Sequence, residues 1–250
     1  MRAGAGQLEG DLDRVLADEG ERLRRSGRLP MAGLAEPVLA EVTAAARSTL
    51  LRHARHAARF PHPVPKLEVQ LEFGDLRIED WLSGIHRDDT GAMGLVTATP
   101  SALRRDKDLA ADRLVGPWII HLLAHAAGCP LTSIVVGGDV TVAFDPMPEA
   151  RAAMLLAELA QSLREGMLRP LPVAAKTAFA FVLQESEDAG LDAARRCYDG
   201  EGDFVRGESA GDPYLMRAYP DFDGLLSAGF RDHLKPYRVL YRAFREEGDA

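Results

Sequence analysis

The sequence predicts one α/β domain, a small mixed sheet flanked by helices and followed by a helical C-terminal part. Three observations predict it. Lys66–Phe73 (KLEVQLEF) alternates strictly, with Leu67, Val69, Leu71 and Phe73 on one side and Lys66, Glu68, Gln70 and Glu72 on the other, the period of a half-buried strand. Runs with helical apolar spacing flank this region on both sides. The order helix–helix–three strands–helix–hairpin–helices then suits one sheet with helices packed around it.

The elements follow in order. Leu8 to Arg25 reads as a helix closed by Gly27 and Pro30, with Leu12, Val15, Leu16 and Leu23 near helical spacing. A second helix runs from Pro37 to Phe60, and PHPVP (Pro61–Pro65) stops it. After Lys66–Phe73, Leu76 to Ile85 is expected as its hairpin partner and Met93 to Ala98 as a third strand, beyond the turn Arg87–Gly91. A long helix is expected from Ser101 to Ala127, interrupted or restarted at Gly116-Pro117. Leu131 to Phe144 reads as a hairpin around Gly137-Gly138-Asp139. Pro148 to Glu165 is an amphipathic helix on Leu155, Leu156, Leu159 and Leu163, ended by Gly166. Helices near Lys176–Glu185 and Leu191–Tyr198, a loop at Asp199–Asp212 and a terminal helix from Leu225 onward complete the chain. These stretches divide the domain into N-terminal helices (1–60), a sheet core with its long helix (61–145) and a helical part (146–250).

Bulk properties narrow the function. A chain of 250 residues, 46% apolar and 27% charged, is long enough to bury a real core. No apolar run approaches the ~20 residues that cross a bilayer, and the first residues lack the apolar core of a secretory signal. Cys129 and Cys197 are too few for a disulfide framework, so a cytoplasmic setting is expected. The net charge of −8 argues against a protein that coats nucleic acid by charge alone. Between Glu41 and Glu68, however, there is no acid, and Arg52, Arg55, His56 and Arg59 fall within an arc of about 100° on a helix. Arg52, Arg55 and Arg59 are the candidate contacts to DNA phosphates; a solvated helix face is the plainer reading of the same strip.

Catalytic signatures are weak. A metal-dependent nuclease of the common α/β type holds its cation with two or three carboxylates and carries an acid and a lysine two residues apart on a strand in the position of Met93–Ala98. That stretch reads Val96-Thr97-Ala98-Thr99. Glu79 and Asp80, Asp88 and Asp89 stand nearby, and Asp106-Lys107-Asp108 is expected on the following helix, out of register. A displaced site built on Glu79, Asp80 and Lys107 is the alternative enzyme reading. His121 and His125 stand four apart on a helix, as in a zinc pair, but Leu122 follows where a zincin has Glu, and no third ligand is evident. Gly137-Gly138-Asp139 lies between strands and reads as a hairpin turn, not a phosphate loop. Val205–Pro213 reads as an exposed connection that Arg206 and Glu208 would tie to neighbouring helices. No metal, cofactor or Walker motif is expected.

Five stretches together resemble one family. Arg24–Val42, Ile78–Leu103, Pro117–Pro130, Glu149–Val182 and Ala193–Pro220 are similar, in the same order, to the C-terminal region of RecC, the gamma subunit of the bacterial exodeoxyribonuclease V (RecBCD) helicase–nuclease. The similarity covers about residues 15–245. It implies a PD-(D/E)xK-nuclease-like (RecB-type) fold that lacks the active site. The implied role is a non-catalytic scaffold that guides DNA strands and contacts RecB-type and RecD-type helicase subunits in double-strand-break repair and recombination. Family chains are several times longer, so the resemblance implies an excised domain or a truncated homologue. A protein-interaction domain without DNA contact is the other alternative.

Overall fold

A computed structural model describes residues 2–30, 32–202 and 205–248. Helices α1 (Arg2–Arg25) and α2 (Ala35–Ala57) form a hairpin tied by Arg24–Glu36 (2.7 Å) and Arg47–Asp13 (2.6 Å) ion pairs. The chain continues through β1 (His62–Pro63), β2 (Leu67–Phe73), β3 (Leu76–Leu82), β4 (Ile85–Arg87), β5 (Met93–Ala98), β6 (Arg104–Arg105), β7 (Asp108–Leu109), α3 (Val115–Ala126), β8 (Leu131–Val136) and β9 (Thr141–Phe144). It ends with α4 (Glu149–Leu168), α5 (Ala175–Val182), α6 (Glu187–Asp199), β10 (Gly200–Glu201), β11 (Val205–Arg206), α7 (Glu208–Gly211), α8 (Pro213–Ala218), α9 (Phe222–Ser227), α10 (Lys235–Tyr241) and β12 (Phe244–Glu247).

The expected mixed sheet is present, with six strands in the order β1-β4-β5-β8-β9-β12. Only β5 and β8 run parallel, from Met93 opposite Leu131 to Ala98 opposite Val136, and α3 is the crossover between them. Strand alternation then decides what each face meets. Val96, Ile134, Val136 and Ala143 pack with Phe60 beneath α2, whereas Leu95 and Val135 join the larger core that includes α3 and α4. Gly94 is required where Phe60 crosses the sheet, because a Cβ there would lie 2.5 Å from the ring. A second apolar cluster, holding Ala178, Phe181, Tyr198, Phe222, Leu225 and Phe230, sits among α5, α6 and α9. Tyr237 of α10 packs against both clusters.

Five expectations are corrected. Helix α4 runs through Gly166 to Leu168, and the loop expected at Asp199–Asp212 holds the β10–β11 hairpin and α7. The run Leu76–Ile85 is not one strand: it breaks at Gly84 (φ 79°), so that β2 and β3 form a separate hairpin and Ile85 opens β4, which pairs with β5. The helix expected over Ser101–Ala127 begins only at Val115, which puts Pro117 in its first turn, where a missing N–H costs nothing. The residues before it are drawn into tertiary bonds: Asp139 accepts from the backbone N–H of Leu103 (2.6 Å) and Arg104 (2.9 Å), and Leu103 is buried. Asp106-Lys107 accordingly forms the turn of the β6–β7 hairpin, with Asp106 at φ 57°. Nor is the chain helical from Leu225 onward. Gly229 (φ 107°) ends α9, a 3-10 turn spans Phe230–His233, and after α10 the segment Phe244–Glu247 extends along β9. Within the loop expected at 199–212, residues 203 and 204 lie outside the described residues.

Candidate functional site

A cleft of about 400 Å³ opens where the parallel strands β5 and β8 end beside the start of α3. In α/β sheets this position, beyond the carboxyl ends of parallel strands, is the ordinary place for a ligand. Leu95, Thr97 and Thr99 project into it from β5 and the residue beyond, and Ser133 and Val135 from β8. Ser101, Arg113, Pro117 and Ile120 form the rim. The segment after β5 is held in place by the β8–β9 turn, since Gly138 N–H donates to Ser101 O (3.0 Å) and Thr99 N–H to Val136 O (2.9 Å). Gly137 permits this approach, because a Cβ there would meet Leu103 at 2.5 Å and the Val140 carbonyl at 2.9 Å.

The chemistry of the cleft follows from those side chains. Thr97 and Thr99, two residues apart and both lining the cleft, are the hydroxyl side chains that the end of β5 presents to it. Hydroxyls form hydrogen bonds but bring no negative charge to a divalent cation. The charged side chain in the lining is Arg113, which donates to the Ala102 carbonyl. The cleft therefore favours an anion or an uncharged polar group. Composition alone did not reveal it; the sequence showed only the uncharged Val96-Thr97-Ala98-Thr99 at a strand end.

His121 and His125 of α3 lie directly below. Both are fully buried, with ring centroids 4.1 Å apart. His121 Nδ1 lies 2.9 Å from Ser133 Oγ, and His125 Nδ1 2.7 Å from the His121 carbonyl. Leu131 N–H donates to His125 Nε2 (3.3 Å), while His121 Nε2 has no close hydrogen-bond partner among the described residues. Burial, reinforced by the neighbouring His125, pushes the His121 pKa down to about 4, and burial also lowers that of His125. Both imidazoles are thus neutral packing groups at pH 7. Among the described residues no three His, Cys, Asp or Glu side chains cluster as a metal would need.

The acids weighed for a displaced nuclease site are spread apart. Glu79, which pairs with Arg77, and Asp80, which accepts from Trp81 N–H (2.7 Å), are exposed on the β2–β3 hairpin. Lys107 belongs to the β6–β7 turn, not to a helix as expected. Asp88 is consumed by its own turn, accepting from Thr90 Oγ1, Thr90 N–H and Ala92 N–H at 2.7–2.9 Å, and these bonds lower its pKa. Asp89 contacts His62 Nε2 at 2.8 Å.

The basic strip divides into an inner and an outer part. Arg52 is buried, and its Nη2 donates to the Gly137 carbonyl at 2.5 Å; His56 is buried beside it. Arg55 and Arg59 face solvent. Arg59 lies 5.6 Å from the Phe60 ring centroid and pairs with Glu247 of β12 (2.6 Å). The three arginines therefore do not form one exposed row, because the helix turns Arg52 toward the β8–β9 turn that needs a donor. Glu208, the first residue of α7, ties this helix to α5, accepting from Lys176 N–H (3.1 Å), Thr177 N–H (2.8 Å) and Thr177 Oγ1 (2.8 Å), whereas Arg206 is exposed on β11.

A search of curated proteins finds no match. A family model described as the RecC C-terminal domain matches residues 6–186. The matched stretch is well over half of the chain and holds the helical hairpin, every strand of the six-stranded sheet except β12, and the cleft. The chain belongs to the RecC C-terminal domain family.

Proposed function

We propose that this chain is a non-catalytic, nuclease-like scaffold domain of the RecC subunit of exodeoxyribonuclease V, which guides DNA strands and docks onto RecB-type and RecD-type helicase subunits. Membership in the family carries the RecBCD context. The observation that carries the rest is the pair Thr97 and Thr99, which fill the strand-end cleft with neutral hydroxyls where cation-holding chemistry would need charge. Arg55 and Arg59 are the solvent-facing part of the basic strip, and a phosphate at Arg59 would compete with Glu247. Exposed Met154, Leu163, Met167 and Leu168 on α4, each more than half accessible, supply apolar surface for a neighbouring subunit.

The test is a nuclease assay on linear single- and double-stranded DNA with Mg²⁺ or Mn²⁺, comparing the native chain with Asp80→Asn. No metal-dependent cutting by either is expected. Cutting that disappears in Asp80→Asn would overturn the proposal in favour of a displaced active site. A protein-interaction role without DNA contact is favoured by the inward turn of Arg52 and the Arg59–Glu247 pair. Salt-dependent DNA retention that does not change in Arg55→Ala/Arg59→Ala would support that second reading at this surface.

A further inference from the structure

Four cations converge in a cleft between the first turn of α4 and the face of α10. Arg151 stands on one wall, and Lys235, Arg238 and Arg242 stand on the other, over a floor of Val239 and Ala243. Lys235 and Arg238 of α10 and Arg242, which caps it, are three, four and seven residues apart, so they share one side of the helix. The cleft measures about 330 Å³, all four cations are exposed, and no carboxylate lines it. Lys235 reaches sideways to Glu158 (2.6 Å), and Arg238 lies 5.9 Å from the centroid of the Phe181 ring. Arg151 and Arg242 have no carboxylate partner among the described residues, whereas Arg24, Arg47, Arg104, Arg195 and Arg245 are each tied to one. On a chain of net charge −8, four gathered cations, of which only Lys235 has a carboxylate partner among the described residues, call for an anionic ligand.

The shape of the site selects the ligand. Lys235 and Arg242 are about 10 Å apart along the helix axis at 1.5 Å per residue. One strand of duplex DNA rises about 3.4 Å per nucleotide, so the row spans about three nucleotides. Guanidinium forks match paired phosphate oxygens, and a floor of Val239 and Ala243 offers neither a base-reading group nor an aromatic platform. We infer that this cleft binds the sugar–phosphate backbone of DNA, holding two to three successive phosphates without reading sequence. The inference rests on the proposed DNA-guiding role and adds a surface to it; α10 lies outside the residues that the family model matches.

The test is fluorescence anisotropy with a labelled 20-nucleotide single strand and the corresponding duplex, titrated from 50 to 200 mM NaCl. The native chain is compared with Arg151→Gln/Arg242→Gln, with the single variant Arg151→Gln, and with the charge-matched surface control Arg28→Gln/Arg217→Gln. The double variant is expected to bind at least ~10-fold more weakly at 50 mM salt, and its log–log salt slope to fall by about 1.4 on the single strand and about 1.8 on the duplex, two phosphate contacts' worth. The single variant loses about half of that slope, and the control keeps the native slope. Native slopes in the double variant would overturn the inference while leaving the DNA-guiding role intact. No binding by the native chain would overturn both. Displacement of DNA by poly-glutamate at equal charge concentration would overturn the inference in favour of an acidic protein surface.

Discussion

Lowering the pH from 7 to 5 is expected to remove about 2 kcal/mol of folding stability through His121 alone. Its imidazole is wholly buried against His125 and Phe144, and its pKa lies near 4 in the folded chain against 6.5 in the open chain. Between those values the unfolded state takes up a proton that the folded state refuses. The unfolded state is therefore favoured as pH falls, and the stability present above pH 6.5 is lost on the way to pH 4. At about 1.4 kcal/mol per pH unit, the loss reaches about 2 kcal/mol at pH 5 and about 3 kcal/mol at pH 4. His125 acts in the same direction. The carboxylates whose pKa values are lowered, such as Asp88 and Asp139, add their own loss mainly below pH 5. The assay is urea unfolding followed by fluorescence at pH 7, 6 and 5, for the native chain and for His121→Phe/Ser133→Ala. The phenyl ring keeps the contact with Phe144, and removing the hydroxyl avoids orphaning the Ser133 donor. Whatever its stability at pH 7, the variant should lose about 2 kcal/mol less than the native chain by pH 5. Parallel curves for the two proteins would refute a neutral, proton-refusing His121.

Three further outcomes follow from the packing. Arg52→Met is expected to destabilise the chain by about 2 kcal/mol, because the Gly137 carbonyl loses a charged donor in a buried place; urea unfolding measures it, with DNA retention unchanged. Gly94→Ala drives a methyl group into the Phe60 ring and should cost about 1–3 kcal/mol in the same assay, partly relieved by Phe60→Leu. Glu208→Gln weakens three bonds at the start of α5, so hydrogen exchange at Lys176 and Thr177 should quicken about tenfold, equivalent to about 1.4 kcal/mol, while exchange in β8 is unchanged.

How far the sequence could be read depended on whether local pattern or distant contacts decided each segment. The alternation of Lys66–Phe73 needed no partner to be recognised, and Leu67–Phe73 is a strand with Val69 fully buried. Leu131–Phe144 likewise carried its own turn. The segment Ser101–Leu114 did not, because its conformation is set by Asp139, 35 residues further on, and by the burial of Leu103. Phe244–Glu247 has strong charges and little strand propensity, and it is a strand because β9 offers it an edge. At the candidate site, Thr97 and Thr99 were legible as an absence of charge, but Ser133 and Arg113 reach the same cleft only through the β5–β8 pairing and the late start of α3. The basic strip was legible as composition; its division into an inward Arg52 and outward Arg55 and Arg59 depended on where the β8–β9 turn presents a carbonyl.

The pairing of β12 with β9 bears on the order in which the molecule can be completed during synthesis. All four residues of β9 are buried, and one of their two lateral partners is made only when the ribosome reaches residues 244–247, a hundred codons later. Until then a nascent chain holds an open, apolar ribbon margin, and β12 closes it with two glutamates and an arginine. The opposite margin, His62–Pro63, is too short, and too poor in donors because of its proline, to recruit another chain. Premature release before residue 244 should thus yield a species prone to strand-to-strand association.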